Sequence, residues 1–486
     1  MRYDACVIGA GADGLAAALM LVRAGLKVVV VEKSEHPGGR CALRQFHPGF
    51  HAAPFCDALP PMPAEIFQAL GLARKGLFLA PPAASVALWP DRSHRYYPHR
   101  ASATQRLLRD AAQATEALRL RAAHDAQAPA RQPYFSRKQP PAPWPGEDRF
   151  AGALADLVAR EVSGADEAAH LVAMALHGRA ADPFLRGSAL HLLAQAGGSL
   201  IAPGLAEALA AAASEAGAEI VLGAEVTDIK RVKDRVCAVA LAHGEEIEAR
   251  AVLSTLDLKR TLLSLFPWDA LAKPVARRVG AFRMAGATAR LLLALDRPLA
   301  LDAEALRAPL HIAPDPARMA QAYAAWRGGT IPDHPPLTLR VVSAEAPALA
   351  PPGQAVMTAT LGAIPARLFD GAWTHDKRDR LRDATLATIE AVLPGTRETV
   401  LAAELIVPPD IEEALGATDG DLMGGEIACD QMFGARPGFD TAAPRMPIIG
   451  LYLAGPSSAA GPLGTCVAGA IAAEAMIADL KSGRLK

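Results

Sequence analysis

Aromatic residues are scarce in this 486-residue sequence, at 5%, and neither sign of charge is in excess, with a formal net charge of −1. Surface binding of nucleic acid calls for a long basic run or stripe, and there is none, so no nucleic-acid partner is expected. Cysteine is scarce as well. The six (Cys6, Cys41, Cys56, Cys237, Cys429, Cys466) are scattered without a C-x-x-C, which excludes a disulfide scaffold and suits a reducing cytoplasm. Long apolar runs are missing: Arg23, Lys27 or Glu207 breaks each window that approaches the roughly eighteen residues a membrane span needs. The strand pattern begins directly after Met1, leaving no room for a signal or transit peptide. The expected location is cytoplasmic, with membrane contact at most peripheral.

The first forty residues are the informative ones. Residues 3–8 (YDACVI) read as a strand and run straight into 9–14 (GAGADG). A helix-period segment follows from Leu15 to about Ala24, Gly25 stops it, and 27–31 (KVVVV) form a second strand that ends on Glu32. In this G-x-G-x-x-G context Gly9 serves the tight turn, Gly11 lets backbone approach a pyrophosphate, and Gly14 lets the helix pack closely on the sheet. The helix N-terminus, with Ala12 and Asp13 in its first turn, offers N–H groups to phosphate. Glu32 is placed to accept the hydroxyls of a ribose and disfavours a 2′-phosphate, with Lys33 beside it. The motif alone leaves NAD and FAD open. A second G-x-G-x-x-G does not occur, so a separate NAD(P)H domain is not expected.

Residues 38–40 (Gly38, Gly39, Arg40) follow where a further cofactor contact would form, two glycines permitting close approach and an arginine adding a forked donor. Residues 64–72 and 101–125 read as helices, 84–97 as strand pieces. The proline-rich stretch 126–147, with Tyr134, Phe135 and Trp144 among Arg131, Arg137 and Lys138, reads as an exposed excursion; a lid or membrane-docking segment is the sharper alternative. Helical sequence continues over 150–197. Beyond it lie a helix at 204–217, strands at 218–222, 225–232, 235–241 and 246–254, further strands within 280–296 and 337–361, and a helix at 376–393. At the C-terminus 448–454 (IIGLYLA) is a strand, 455–464 a small-residue loop and 465–478 a helix. Its N-terminus, at Leu463, Gly464 and Thr465, is aimed at something anionic or electron-rich, such as the pyrimidine end of a flavin.

With both ends in view, the chain resembles the phytoene-desaturase-like FAD oxidoreductases of the amine-oxidase and GDP-dissociation-inhibitor-type flavoprotein superfamily. The resemblance rests on residues 7–14 (VIGAGADG), Glu32, 36–40 (HPGGR), 48–50 (PGF) and 450–455 (GLYLAG). Residues 420–437 resemble a segment of the branch named after a pyridine-nucleotide-disulfide oxidoreductase domain, at Asp430–Gln431 and Arg436–Pro437. The resemblance implies an α/β fold: a discontinuous, Rossmann-like FAD-binding domain (1–105, 198–272, 420–486) with an inserted α+β substrate domain (a helical substrate or lid region, 106–197; sheet and helices, 273–419). It places FAD contacts at Gly9, Gly11, Ala12, Asp13, Gly14, Glu32, Lys33, Gly39, Arg40, Val226, Thr255, Gly455, Leu463, Gly464 and Thr465. It implies hydride removal from a hydrophobic, isoprenoid or lipid-like small molecule by dehydrogenation, desaturation or isomerisation, with oxygen or a quinone as electron acceptor.

Two departures stand out. Met423–Gly424–Gly425 replaces a Phe-His-Gly of relatives, and Ser458–Ala459–Ala460 replaces a Thr-His-Pro, so two polar groups near the flavin are missing. The alternatives are a non-enzymatic FAD- or prenyl-binding protein on the same fold and a flavin amine oxidase. An aromatic cage for an amine finds only Phe439 and Tyr452 in the C-terminal region. Residues 38–46 (GGRCALRQF) hold one cysteine without a close partner, which disfavours dithiol chemistry. No catalytic acid or base and no metal ligand set emerges; His47 and His51 flank Gly49–Phe50, and Asp430 reads as a buried or capping carboxylate.

Overall fold

The computed structural model describes residues 2–56, 58–79, 85–91, 94–97, 103–127, 144, 146–194, 200–201, 204–432, 435–437 and 444–485. The docking or lid reading of 126–147 falls almost wholly outside them. The strands are β1 (Tyr3–Ile8), β2 (Val28–Val31), β3 (Arg44–His47), β4 (Phe50–Ala52), β5 (Ala58–Leu59), β6 (Ser85–Leu88), β7 (His94–Tyr97), β8 (Leu200–Ile201), β9 (Glu219–Val221), β10 (Val226–Val232), β11 (Arg235–Leu241), β12 (Glu246–Ser254), β13 (Ala289–Leu295), β14 (Leu310–Ile312), β15 (Leu337–Arg340), β16 (Ala355–Leu361), β17 (Val400–Ile406) and β18 (Leu451–Leu453). The helices used below are α1 (Ala12–Arg23), α2 (Ala64–Leu70), α3 (Ala103–Gln127), α4 (Ala165–Ala175), α5 (Leu205–Glu215), α6 (Lys273–Ala281), α7 (His375–Val392), α8 (Pro408–Leu415) and α9 (Val467–Lys481).

The first sheet runs β10-β11-β12-β1-β2-β9, with β18 added beside β12. β1 is flanked in parallel by β2 (Ile8↔Val31) and β12 (Ile8↔Ser254). Strands covered on both faces read as continuous apolar runs, as the four buried valines of β2 do. Strand β12 serves two partners in succession: its first half pairs antiparallel with β11 (Ala238↔Glu248), its last residues parallel with β18 (Val252↔Leu451). Helices α1, α5 and α9 pack together on one face, where alanines dominate and allow close approach. The other face is sealed by Leu262, Phe266, Val275 and Val279.

The second sheet runs β17-β13-β16-β15-β14-β6-β7. Its outer face (Leu291, Leu293, Leu339, Met357) takes Leu381, Leu386 and Ile389 of α7. Its inner face starts apolar at Leu292, Ala294 and Val356, packed on Phe50 and Ala52 of β4, and becomes polar further along.

Three boundaries differ from the sequence reading. Strands β6 and β7, expected in the 1–105 cofactor segment, belong to the second sheet, because β6 pairs in parallel with β14 (Val86↔Leu310). The strand expected over 448–454 shortens to Leu451–Leu453, since Ile449 turns to donate its N–H to Asp234 O at 2.8 Å. The C-terminal helix begins at Val467, not 465: Cys466 sits in the left-handed region (φ 63°) and Thr465 N donates to Pro61 O.

Candidate functional site

The glycine turn is built by exclusion. Gly9 has φ +97°, and a methyl group there would overlap Thr255 Oγ1; one at Gly14 would overlap the carbonyl of Gly9. Around Gly11 nothing lies within 4 Å of that position. Two glycines are therefore demanded by the fold and the middle one faces open space, the arrangement a pyrophosphate cradle needs. Thr255, expected as a contact residue, braces this turn: its backbone N and Oγ1 donate to Ile8 O at 3.0 and 2.9 Å. Gly455 packs against the carbonyl of Thr255, where a side chain would collide.

The diglycine loop joins directly. Gly38 N donates to Ala10 O at 2.8 Å, Gly11 and Gly38 form a parallel bridge, and Gly39 lies against the Cα of Gly11. Glu32 is buried; Oε2 accepts Ala10 N at 2.8 Å and Oε1 accepts Ser34 N at 3.0 Å. A carboxylate has about four acceptor sites, so two remain for a diol. Glu32 O also takes Ala224 N at 2.8 Å, which brings the start of β10 and Val226 to this end of the sheet. Ala12, Gly39 and Val226 thus line the same region as Gly11 and Glu32.

Other expected contact residues also bond within the protein. Lys33 Nζ donates to Glu413 O at 2.8 Å, at the end of α8. Arg40 Nη1 donates to Leu422 O at 3.2 Å. The carboxylate of Asp13 accepts Gly469 N at 2.9 Å, so the anion at the N-terminus of α9 is this side chain. Burial pushes the Asp13 carboxyl up to about 6, against the opposing pull of Gly469 N–H and Arg40. Thr465 is held by Pro60 O and Pro61 O, and Leu463 and Gly464 are packed beside it.

Asp421 is the residue that sequence reasoning missed. It is buried, accepts Met423 N at 2.9 Å and Gly425 N at 3.0 Å, and burial raises its carboxyl to about 6. An Asp two residues ahead of Met-Gly-Gly is a turn signal that was available in the sequence. Gly424 lies against Ser457 and Pro456, and Gly425 against Phe282, so no side chain fits at either position along this path. Arg436, fully buried, donates to Met423 O and Pro456 O at 2.7 and 2.8 Å; burial lowers it to about 10. Asp430 corrects its sequence reading: it is exposed and grips Arg283 with both oxygens, at 2.9 and 2.6 Å, which lowers its pKa.

Tyr452 is no cage residue. It is buried in the core with its hydroxyl 2.7 Å from Asp479, which Arg445 also holds. His47 stacks at a tilt on Phe50, ring centroids 5.5 Å apart, on the β3–β4 hairpin. The inner face of the second sheet carries buried Arg290, Thr338, Thr358, Thr360, His311 and Ser85. There His170 Nε2 meets Ser85 Oγ at 2.6 Å and the His170 and His311 rings are 5.0 Å apart; burial first, then His170, His177 and Arg340, keep His311 neutral. Cys41 is buried, and burial drives its thiol far up, so no thiolate nucleophile stands in the diglycine loop. A cavity of about 590 Å³ lies elsewhere, on the outer side of the second sheet between Met319, Pro336 and Leu381.

Comparison with known proteins places this geometry. Residues 14–473 match the family model described as flavin containing amine oxidoreductase. A rat (Rattus norvegicus) protein, pyridine nucleotide-disulfide oxidoreductase domain-containing protein 2, is 26% identical over 99% of this chain and 94% of its own length. The phytoene desaturase of Neurospora crassa is 34% identical over 21% of this chain and 18% of that protein. Among solved structures, an engineered triple mutant of putrescine oxidase superposes with a TM-score of 0.62 at 14% identity, covering 99% of each chain.

Proposed function

For a chain that belongs to the flavin-containing amine oxidoreductase family and is an FAD-dependent oxidoreductase, we propose that the reaction is removal of hydride from an apolar small molecule, isoprenoid or lipid-like, by dehydrogenation or isomerisation. FAD, when bound, supplies the two-electron acceptor, and oxygen or a quinone is the proposed final acceptor. The residues that fit it are the open turn at Gly11, the spare acceptor sites of Glu32, and the Gly38–Gly39 backbone drawn against Gly11. Val226, Thr255, Gly455 and Leu463–Thr465 complete the proposed cradle.

One observation carries the substrate class. The hairpin that continues the diglycine loop meets the second sheet through a mainly apolar seam, Leu43, Phe46, Phe50 and Phe55 against Leu292, Ala294, Val356 and Ile406, with the Arg44–Glu404 ion pair at its exposed side. Burial of this seam keeps water from that end of the inner face, which favours an apolar substrate beside it. The protein's own polar groups nearby, the His170–Ser85 and His311–Thr338 pairs, are bonded to each other and orient the inner face. The phytoene desaturase relatives support the same class.

Purified protein tests this directly. Extracted cofactor should be FAD, and anaerobic addition of a polyene or unsaturated lipid should bleach its visible band. Bleaching by primary amines with none by any apolar compound would replace this reading with amine oxidation.

A further inference from the structure

Strand β10 is the outermost strand at its side of the cofactor sheet. Its edge is closed by the segment leading to α6, Ile229 N donating to Leu265 O at 2.8 Å. Along this seam the chain divides its apolar residues. Leu262, Leu265, Phe266 and Leu271 enter the core, whereas Trp268 is 90% exposed, Val232 65% and Leu263 40%. Ile449, also exposed, is tied to the β10–β11 turn through Asp234. A single exposed aliphatic residue needs no explanation, but a tryptophan almost wholly in water does.

The charge around them is one-sided. Between 259 and 278 stand Lys259, Arg260, Lys273, Arg277 and Arg278 against Asp269 alone, and the β10–β11 turn adds Arg231 and Lys233 against Asp234, on a chain whose net charge is −1. Arg260 is paired with Glu412 and Lys230 with Asp228. A tryptophan, aliphatic side chains and bases carried on two segments joined at Ile229–Leu265 match the headgroup level of an anionic bilayer. A second copy of the chain fits less well, because a two-fold contact would set the same basic strip against itself. Among the described residues no helix is long and apolar enough to cross a membrane, so the contact would lie on the surface.

We propose that the Val232–Leu263–Trp268 seam docks this protein on the surface of an anionic lipid bilayer. Trp268 seats among the headgroups, and Lys233, Lys273 and Arg277 face the acidic lipids. Vesicle sedimentation of the FAD-loaded full chain tests it, using phosphatidylcholine alone and phosphatidylcholine mixed with phosphatidylglycerol. Wild type should pellet with the mixed vesicles only and be released by high salt. At about fivefold per base, the double variant Lys273→Glu/Arg277→Glu should lose at least about 25-fold in partitioning. Trp268→Ala should lose partitioning too, and both variants should keep the wild-type flavin spectrum and melting midpoint. Equal recovery of wild type and the double variant overturns the proposal, as does equal pelleting with phosphatidylcholine. A dimer seen by light scattering that Trp268→Ala abolishes, with no vesicle binding by wild type, would give the seam to a second copy instead. Flavin content is read in the same samples, so failure of the oxidoreductase reading shows separately.

Discussion

The carboxylate of Asp13, in the first turn of α1, accepts the backbone N–H of Gly469 in the first turn of α9 at 2.9 Å. Two helix N-termini separated by almost the whole sequence thus meet at one half-buried acid. The partial positive charge of α9 is spent on a residue of the glycine motif.

That acid should set a pH dependence. Its folded pKa, about 6, stands above the ordinary aspartate value of 3.8. Between those values the folded state holds more protons than the unfolded one, so this group's contribution falls as pH rises and is fully lost above about 6. The loss amounts to at most about 3 kcal/mol. Asp13→Asn keeps an acceptor for Gly469 and removes the titration. Its melting midpoint should match wild type near pH 4 and exceed it at pH 7; a constant difference across that range would rule the account out.

The three motif glycines should fail in different ways. Gly11→Val places its side chain in open space, so the protein should fold with a near-native melting midpoint and carry no flavin. Gly14→Ala drives a methyl group into the Gly9 carbonyl and should cost about 2–3 kcal/mol of stability. Stoichiometric FAD in Gly11→Val would overturn the cradle.

Glu32→Gln tests the proposed ribose contact. A hydrogen bond to a charged group is worth about 1.5–3 kcal/mol, so FAD affinity should fall roughly 10- to 100-fold. Titration of apoprotein with FAD reads this, and an unchanged dissociation constant would place the ribose elsewhere.

Tyr452→Phe separates core from cage. Loss of the bond to Asp479 should destabilise by about 1.5–3 kcal/mol, whereas turnover and the bound-flavin spectrum should stay at wild-type values. A selective loss of turnover would bring Tyr452 back to the reaction.

What could be read from the sequence was local. The β1–turn–α1–β2 unit, Glu32, and strands β10 to β12 follow from short periodicities and glycine spacing, and they stand where expected. Sheet membership of β6 and β7 was hidden because alternation marks a strand without naming its neighbour. The protein partners of Asp13 and Lys33 were not legible because Gly469 and Glu413 lie hundreds of residues away. Asp430 looked burial-prone only while its partner Arg283 was unseen.

Strand β12 bears on synthesis as well as structure. Its second half has β1 on one side and waits for β18 on the other, some two hundred residues later in the chain. A nascent chain emerging from the ribosome therefore displays the glycine turn long before the sheet that supports it is complete. Contacts of such long range form late, and the cofactor should be captured only after the C-terminal strand and helix have arrived, so a prematurely terminated chain leaves an unfinished, adhesive sheet edge rather than a weaker enzyme.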